Sequence, residues 1–476
     1  MRVLLINPNI YPYAHSFVHK YTMIEEYFPL GLFSLFCALK RNAYEVKIFD
    51  ARLYRSREKE LAEIIKAFKP DVVGITNYLY SAVGSVMDTA RLCKKIDSNI
   101  ITVAGGMSPT YLCREILGFC PEIDVIVQGE GETAFIELLD SLHSRKDYTG
   151  IPGIVSRNDS SILSNGCGKN ACADFSIDPH RLREAFLVPR GESLAAYAHP
   201  RVSVYIEATR GCSHDCTFCV IKSFWGKGIR YKPVASIVDE MEDFYKEIGV
   251  TIFRFACSDF TGNKAFASGL IEEIMKRGLH KKIKWGIPAR CDTIDRPILK
   301  ALKAANCLWV GFGVETPDQE SLNDYNKGLS VSHIVDAYAV SREAGLKTKA
   351  YLFLNQYTMS PERGLAGEFR RVMDFLKKIS PDILVYAPLI LYPHTPLYEK
   401  YVSQDLVERY NMRILMEGAL VPAKRVAEDA VLKTVKNVHV AFARRSGYHL
   451  GDLMQRVLSF NAPGIPHFMR KKRAIL

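Results

Sequence analysis

The sequence of 476 residues has no apolar run of the ~18 residues needed to cross a bilayer as a helix. Its opening, MRVLLINPNIYP, carries an apolar run that ends at Pro8. That is short for a secretion signal and reads as a buried first strand. No GxGxxG follows this strand, which argues against a dinucleotide site. A disulfide framework is also missing. Of 12 cysteines, Cys37, Cys93 and Cys307 sit singly in apolar patterns, as small core side chains do. The expectation is a cytoplasmic protein. At 48% hydrophobic and 24% charged residues it is globular rather than disordered, and its length suits two or three domains.

What is present begins with a repeated strand-helix pattern. Apolar runs at 3–6, 46–49, 72–76, 100–106 and 124–132 alternate with amphipathic segments such as REKELAEIIKAFK. Continuous rather than alternating apolar strands predict a parallel sheet covered on both faces, so residues 1–145 are expected to form a doubly wound α/β domain. Ligands of such sheets bind beyond the carboxyl ends of the strands. Those ends carry Asn7, Asp50, Tyr78 to Ser81, Gly105 and Gly106, and Gly129 to Glu132. The glycines permit close approach of a ligand to backbone, or merely serve tight turns.

A second series starts near residue 201, with strand candidates at 203–209, 251–259, 283–290, 308–316, 347–355 and 381–390. Six βα units predict a partial (β/α)6 barrel over 201–400, its active site at the carboxyl ends of the strands. The loop after the first of these strands reads ATRGCSHDCTFC, with Cys212, Cys216 and Cys219 spaced CxxxCxxC. A structural zinc site closes with four ligands, and only His214 is near enough in sequence to add one. Three thiolates on a four-iron cluster leave one iron open to chelate a substrate or cofactor.

CxxxCxxC with an aromatic, Phe218, before its last cysteine, placed after the first strand of a βα barrel, resembles the radical S-adenosylmethionine (SAM) superfamily. The resemblance implies a four-iron four-sulfur cluster on Cys212, Cys216 and Cys219 whose open iron binds SAM and cleaves it to a deoxyadenosyl radical. Glu315, in GFGVET, matches an acidic residue near the SAM ribose. Asp259 stands where relatives carry an acidic pair, with Ser258 in the partner position, and Arg290 and Asp292 also match that branch. After the fifth strand, LNQYTMSPERG replaces the usual glycine-rich turn followed by Glu-Thr.

An α/β domain ahead of such a barrel, with PLGLFSLFCALK, KPDVVGIT, AGG and GEGE in order, is similar to the cobalamin-binding subfamily over roughly residues 1–400. Tyr78, Ser81, Gly105, Gly106, Gly129 and Glu130 would then lie near the corrin or its nucleotide tail. The DxHxxG of many cobalamin domains is replaced by NPNIYPYAHS, so His15 is not assigned to cobalt; relatives also often lack that histidine. The subfamily implies hydrogen abstraction from an unactivated carbon, methyl supply from cobalamin and remethylation by a second SAM. It also includes the anaerobic oxidative cyclase of bacteriochlorophyll synthesis and the radical proteins of hopanoid side-chain synthesis, so radical oxidation, cyclisation or rearrangement is the alternative. A non-catalytic cobalamin carrier or a structural metal protein is the plainer one.

Between the domains, residues 146–200 read as a linker with a hairpin at an Asn-Asp turn, followed by Cys167 and Cys172 as free thiols. Residues 401–476 read as helical, ending in the basic Arg470, Lys471, Lys472 and Arg473. That tail suits peripheral contact with an anionic membrane or simple solvation. The expected partners are a small-molecule or lipid substrate and an electron donor such as flavodoxin or ferredoxin, with no nucleic acid.

Overall fold

The computed structural model describes residues 1–8, 26–54, 57–77, 83–158, 161–166, 174–189, 193–199, 202–226, 228–354 and 364–401, with 433–434, 436–438 and 440–442. Tyr78, Ser81, His15, Cys167, Cys172, the segment after the fifth barrel strand and the basic tail lie outside them. Residues 433–434, 436–438 and 440–442 are helical, as expected for that region. No helix among the described residues is long and apolar enough to cross a membrane.

The first half contains β1 (Arg2–Asn7), β2 (Glu26–Tyr27), β3 (Glu45–Asp50), β4 (Val72–Asn77), β5 (Ile101–Gly106), β6 (Val125–Val127), β7 (Ile154–Asn158) and β8 (Ser161–Ser164). All but β2 form one sheet in the order β3-β1-β4-β5-β6-β7-β8. The first five of these strands run parallel, as their continuous apolar sequences require. Strand order reverses between β1 and β4, the switch point at which doubly wound sheets open a ligand crevice. The β7-β8 hairpin adds antiparallel to β6 and extends the sheet.

The second half contains β9 (Val202–Glu207), β10 (Thr209–Cys212), β11 (Gly228–Tyr231), β12 (Ile252–Ala256), β13 (Lys284–Ala289), β14 (Cys307–Glu315), β15 (Lys347–Leu354) and β16 (Ile383–Pro388). Its sheet runs β16-β15-β14-β13-β12-β9-β2, parallel throughout, while β10 and β11 form a separate antiparallel pair. The partial barrel is therefore present with its six strands in chain order. One element was not legible in the sequence: β2, early in the chain, pairs with β9 at the barrel edge. Four helices of the barrel half begin at side-chain caps, Asn263, Asp295, Asp318 and Ser330, which accept otherwise unpaired first-turn amides.

Val310, Phe312 and Val314 of β14 are fully buried, and the Phe312 ring meets Tyr338 on the helix Val331–Glu343. On the opposite face Gly286 of β13 leaves room for the Trp309 ring, which a Cβ would strike. Between the two halves lies an aromatic cluster. Phe28 packs 5.2 Å from Phe244 of the helix Val234–Ile248, 5.6 Å from Phe33, 5.6 Å from Phe186 and 5.1 Å from Tyr197. Phe244 is fully buried. Phe244→Ala should cost about 3–5 kcal/mol in urea unfolding, as large aromatic truncations in packed cores do, and should lower the midpoint for both halves together. A loss below about 1 kcal/mol would show that the cluster does not weld the halves.

Candidate active site

The three cysteines of the motif are presented by a short hairpin. β10 ends at Cys212 and returns through β11, with Gly211 opposite Ile229. Gly211 has φ +98°, and a Cβ there would run into the carbonyl oxygen of Gly228, so glycine is required on both counts. The loop is then tied to the barrel. Thr217 donates its N–H to Tyr325 O (2.9 Å) and its hydroxyl to Asp324 O (3.0 Å). Its carbonyl accepts from Leu397 N (2.9 Å). Phe218 wedges edge-on against Tyr325 and Phe353, both 5.3 Å away.

Cys212, Cys216 and Cys219 are partly exposed, whereas Cys37, Cys93 and Cys307 are buried in the core. Burial, with the neighbouring sulfurs, pushes the Cys219 thiol up to about 11 and the Cys216 thiol upward. Iron binds thiolate, so loading this loop must release protons. Among the described residues no three His, Cys, Asp or Glu converge as ligands of a single metal ion. One zinc would draw its thiolates to ~2.3 Å, whereas a cluster spreads them around an inorganic core. Three sulfurs on one loop with no fourth suit the cluster.

Around this loop the barrel strands end in charged side chains. The β14 register slips between Gly313 and Glu315. Glu315 takes φ +64°, a left-handed conformation that costs a non-glycine residue on the order of 1–3 kcal/mol. The bulge turns its carboxylate back over Gly313, where a Cβ would lie 2.6 Å from Oε1. Lys327 Nζ donates to that oxygen at 2.7 Å, and both residues are buried. Burial opposes the charge on Lys327, but Glu315 and Cys216 outweigh it and raise its pKa. Arg290 grips Asp292 with two 2.9 Å bonds and donates to Lys327 O at 2.8 Å.

Asp259, at the end of the second barrel strand, uses Oδ1 to accept from Thr261, Thr293 and Arg290 N. Its Oδ2 is buried and has no partner. Ser258 donates to Gly211 O at 2.8 Å, tying the second strand to the hairpin rather than facing a ligand. Burial and the Arg290 guanidinium lower the pKa of His214.

The first sheet turns its carboxyl edge toward the same loop. Asn77 ends β4 at the switch point; it is 2% exposed, and neither its amide nitrogen nor its oxygen has a partner. Ser108, just past β5, is fully buried with an unpartnered hydroxyl. Gly106, at φ +94°, lies so close that a Cβ would strike the Asn77 carbonyl. Gly105 is under no such constraint. Gly129 donates its N–H to Thr110 Oγ1 (3.0 Å), while the Glu130 carboxylate is committed to Arg210 and Arg230. Tyr111 reaches across, its hydroxyl 2.8 Å from Val220 O and 2.9 Å from Ser223 Oγ. Asn77, Ser108, Tyr111, Lys327 and Arg210 escaped the sequence reading, although Arg210 lies within TRGC and Asn77 directly follows KPDVVGIT. Unpartnered buried amide and hydroxyl groups at a switch point fit a ligand rich in amides, as a corrin is.

Residues 23–139 match the family model of the B12 binding domain and residues 206–363 that of the radical SAM superfamily, together more than half of the chain. An uncharacterized methyltransferase of Pyrococcus horikoshii is 26% identical over 435 residues, 90% of each chain. The anaerobic magnesium-protoporphyrin IX monomethyl ester cyclase of Cereibacter sphaeroides is 25% identical over 460 residues, 94% of this chain and 71% of the cyclase. Among solved structures, the radical S-adenosylmethionine methyltransferase TsrM of Kitasatospora setae, with cobalamin and a four-iron four-sulfur cluster bound, matches at TM-score 0.69 and 21% identity. The match covers 85% of this chain and 78% of that one, a likeness of fold.

Gly211→Ala places a side chain against the β11 backbone and adds about 1–2 kcal/mol of left-handed strain. After anaerobic reconstitution the variant should retain several-fold less iron per chain, with an unchanged far-ultraviolet circular dichroism spectrum. Full iron retention would show that the hairpin does not set the thiol positions.

Proposed function

Because the chain belongs to the cobalamin-binding subfamily of the radical SAM superfamily, we propose that it is a methyltransferase acting on an unactivated carbon of a lipid or natural-product intermediate. The observation that carries this reading is the meeting of two ligand-binding edges. The Tyr111 hydroxyl joins the switch-point side of the first sheet to the backbone just past Cys219. When bound, the cluster and cobalamin supply one-electron cleavage of SAM and a carried methyl group.

The chain's own residues then divide the work. Cys212, Cys216 and Cys219 hold the cluster and leave one position open for the amino and carboxylate groups of SAM. Phe218 keeps the loop seated on the barrel through Tyr325 and Phe353. Glu315, strained and paired with Lys327, is assigned to the SAM ribose, and the open Oδ2 of Asp259 would offer a second acceptor. Asn77 and Ser108 would offer hydrogen bonds to the corrin, and Gly105 and Gly106, without side chains, are assigned to the same edge. Gly129 and Glu130 act on that edge by shaping the turn. Tyr78 and Ser81 follow β4 in sequence and are assigned to the same ligand. An external one-electron donor of the flavodoxin or ferredoxin kind is required to reduce the cluster.

Radical oxidation, cyclisation or rearrangement without methyl transfer is the second reading, supported by the match to the cyclase over 94% of this chain and 71% of the cyclase. The products of SAM separate the two. The protein, reconstituted anaerobically with iron, sulfide and hydroxocobalamin and given reductant and candidate substrates, should release both deoxyadenosine and S-adenosylhomocysteine. Deoxyadenosine alone supports the second reading. Replacing all three motif cysteines with alanine should abolish cluster absorbance and deoxyadenosine; surviving cleavage would falsify the radical assignment.

Glu315→Gln should weaken SAM binding about tenfold, the scale of one lost charge-assisted hydrogen bond, with iron content unchanged. Equal SAM affinity in calorimetry would remove Glu315 from the SAM site.

A further inference from the structure

We propose that Arg210 is a positioning residue that sets the cluster-bearing loop against the cobalamin-bearing strand ends, an inference that rests on the two-cofactor reading above. Arg210 stands two residues before Cys212 on β10. Its Nη1 donates to Glu130 at 2.8 Å, and its Nη2 donates to Glu132 at 2.7 Å and to Glu207 at 3.0 Å. Glu130 precedes, and Glu132 lies in the first turn of, the helix Gly131–Ser144 that follows β6 in the first half; Glu207 ends β9, on the barrel. Arg230 of β11 also reaches Glu130, and Ser34 donates to Glu132 at 2.7 Å.

Two rings lie against the guanidinium, Phe175 at 4.6 Å and Trp225 at 4.8 Å. Trp225 ends the short helix that follows Cys219. One planar group thus touches the turn of the first sheet, the first barrel strand and the segment that closes the cysteine loop. Its own backbone leads directly to Cys212. The side chains of Arg210, Glu130 and Glu132 are 3%, 6% and 8% exposed, so water does not screen these contacts.

Two physical points make this a matter of geometry rather than of stability. Buried ion pairs are often replaceable by apolar groups at no net cost, because desolvation offsets the attraction. The rigid fork of a guanidinium, however, fixes the directions of several carboxylates at once, which a lysine ammonium on a flexible stem cannot do. The Arg210 Nε has no acceptor, so hydrogen bonding alone has not been maximised here.

The test uses the full chain. In R210M/E130Q/E132Q the cation and two carboxylates are neutralised, leaving Arg230 and Glu207 as one charge of each sign. Hydrogen exchange followed by mass spectrometry, on protein without added cofactors, should speed up about tenfold in residues 129–132 and in 212–220 together, with the melting temperature near that of the wild type. R210K, which keeps the charge and loses the fork, should give the same paired rise at smaller amplitude, and it decides the matter if the triple variant does not fold. With both cofactors loaded, dipolar electron paramagnetic resonance between the reduced cluster and cob(II)alamin should give a broader distance distribution in R210K than in the wild type. Exchange that rises in neither segment or in only one, or an unchanged distance distribution, overturns the proposal. A wild-type chain that retains no cobalt counts instead against the two-cofactor reading, and the exchange comparison still decides whether Arg210 links the two segments.

Discussion

Two sheets that each end in a ligand-binding edge are useful to one another only if those edges meet, and here they meet over a buried guanidinium. Arg210 lies where the turn after β6, the end of β9 and the cysteine hairpin converge, and its charge must be balanced on the spot because little water reaches it. Burial works against the ionised form of Glu132, yet Arg210 and Ser34 hold its carboxyl below the usual range. Glu207, in contrast, is pushed upward by burial despite the same cation. Two of the three carboxylates that accept from Arg210, Glu130 and Glu132, belong to the first half, and one, Glu207, to the barrel. The Phe28 to Phe244 aromatic cluster supplies the apolar area that holds the halves together. The charges supply the register.

On the barrel, one strand end carries a strained acidic residue. Glu315 adopts a left-handed backbone at a bulge, folds over Gly313 and is fastened by Lys327. Asp259, Asn77 and Ser108 keep buried polar atoms without protein partners, and each such atom costs on the order of 1–3 kcal/mol unless a ligand satisfies it. These features gather at strand ends facing the cysteine loop, whereas the cysteines buried elsewhere, such as Cys93 and Cys307, serve packing alone.

Much of this was legible one segment at a time. Uninterrupted apolar runs such as VLLI and VVGIT appear as β1 and β4, the six later runs form the barrel, and CxxxCxxC follows its first strand. Such features depend on residues within a few positions of one another. Glu315 was legible as a candidate because GFGVET stands at a strand end, but its strain was not. Nor did the sequence mark Asn77, an ordinary asparagine in ITNY, or Lys327, which reaches Glu315 from 12 positions away.

The order of elements, the parallel sheets and the three-thiol loop are determined by the sequence itself, since periodicity and motif spacing act locally and parallel strands place all their carboxyl ends on one side. Which of those ends face each other was decided only by tertiary structure. Arg210 and Glu130 are 80 residues apart and Tyr111 and Val220 are 109 apart, and β2 left the first sheet altogether to pair with β9. Contacts of that range depend on how two completed sheets pack and on which buried charges find counter-charges there. No local pattern along the chain encodes them.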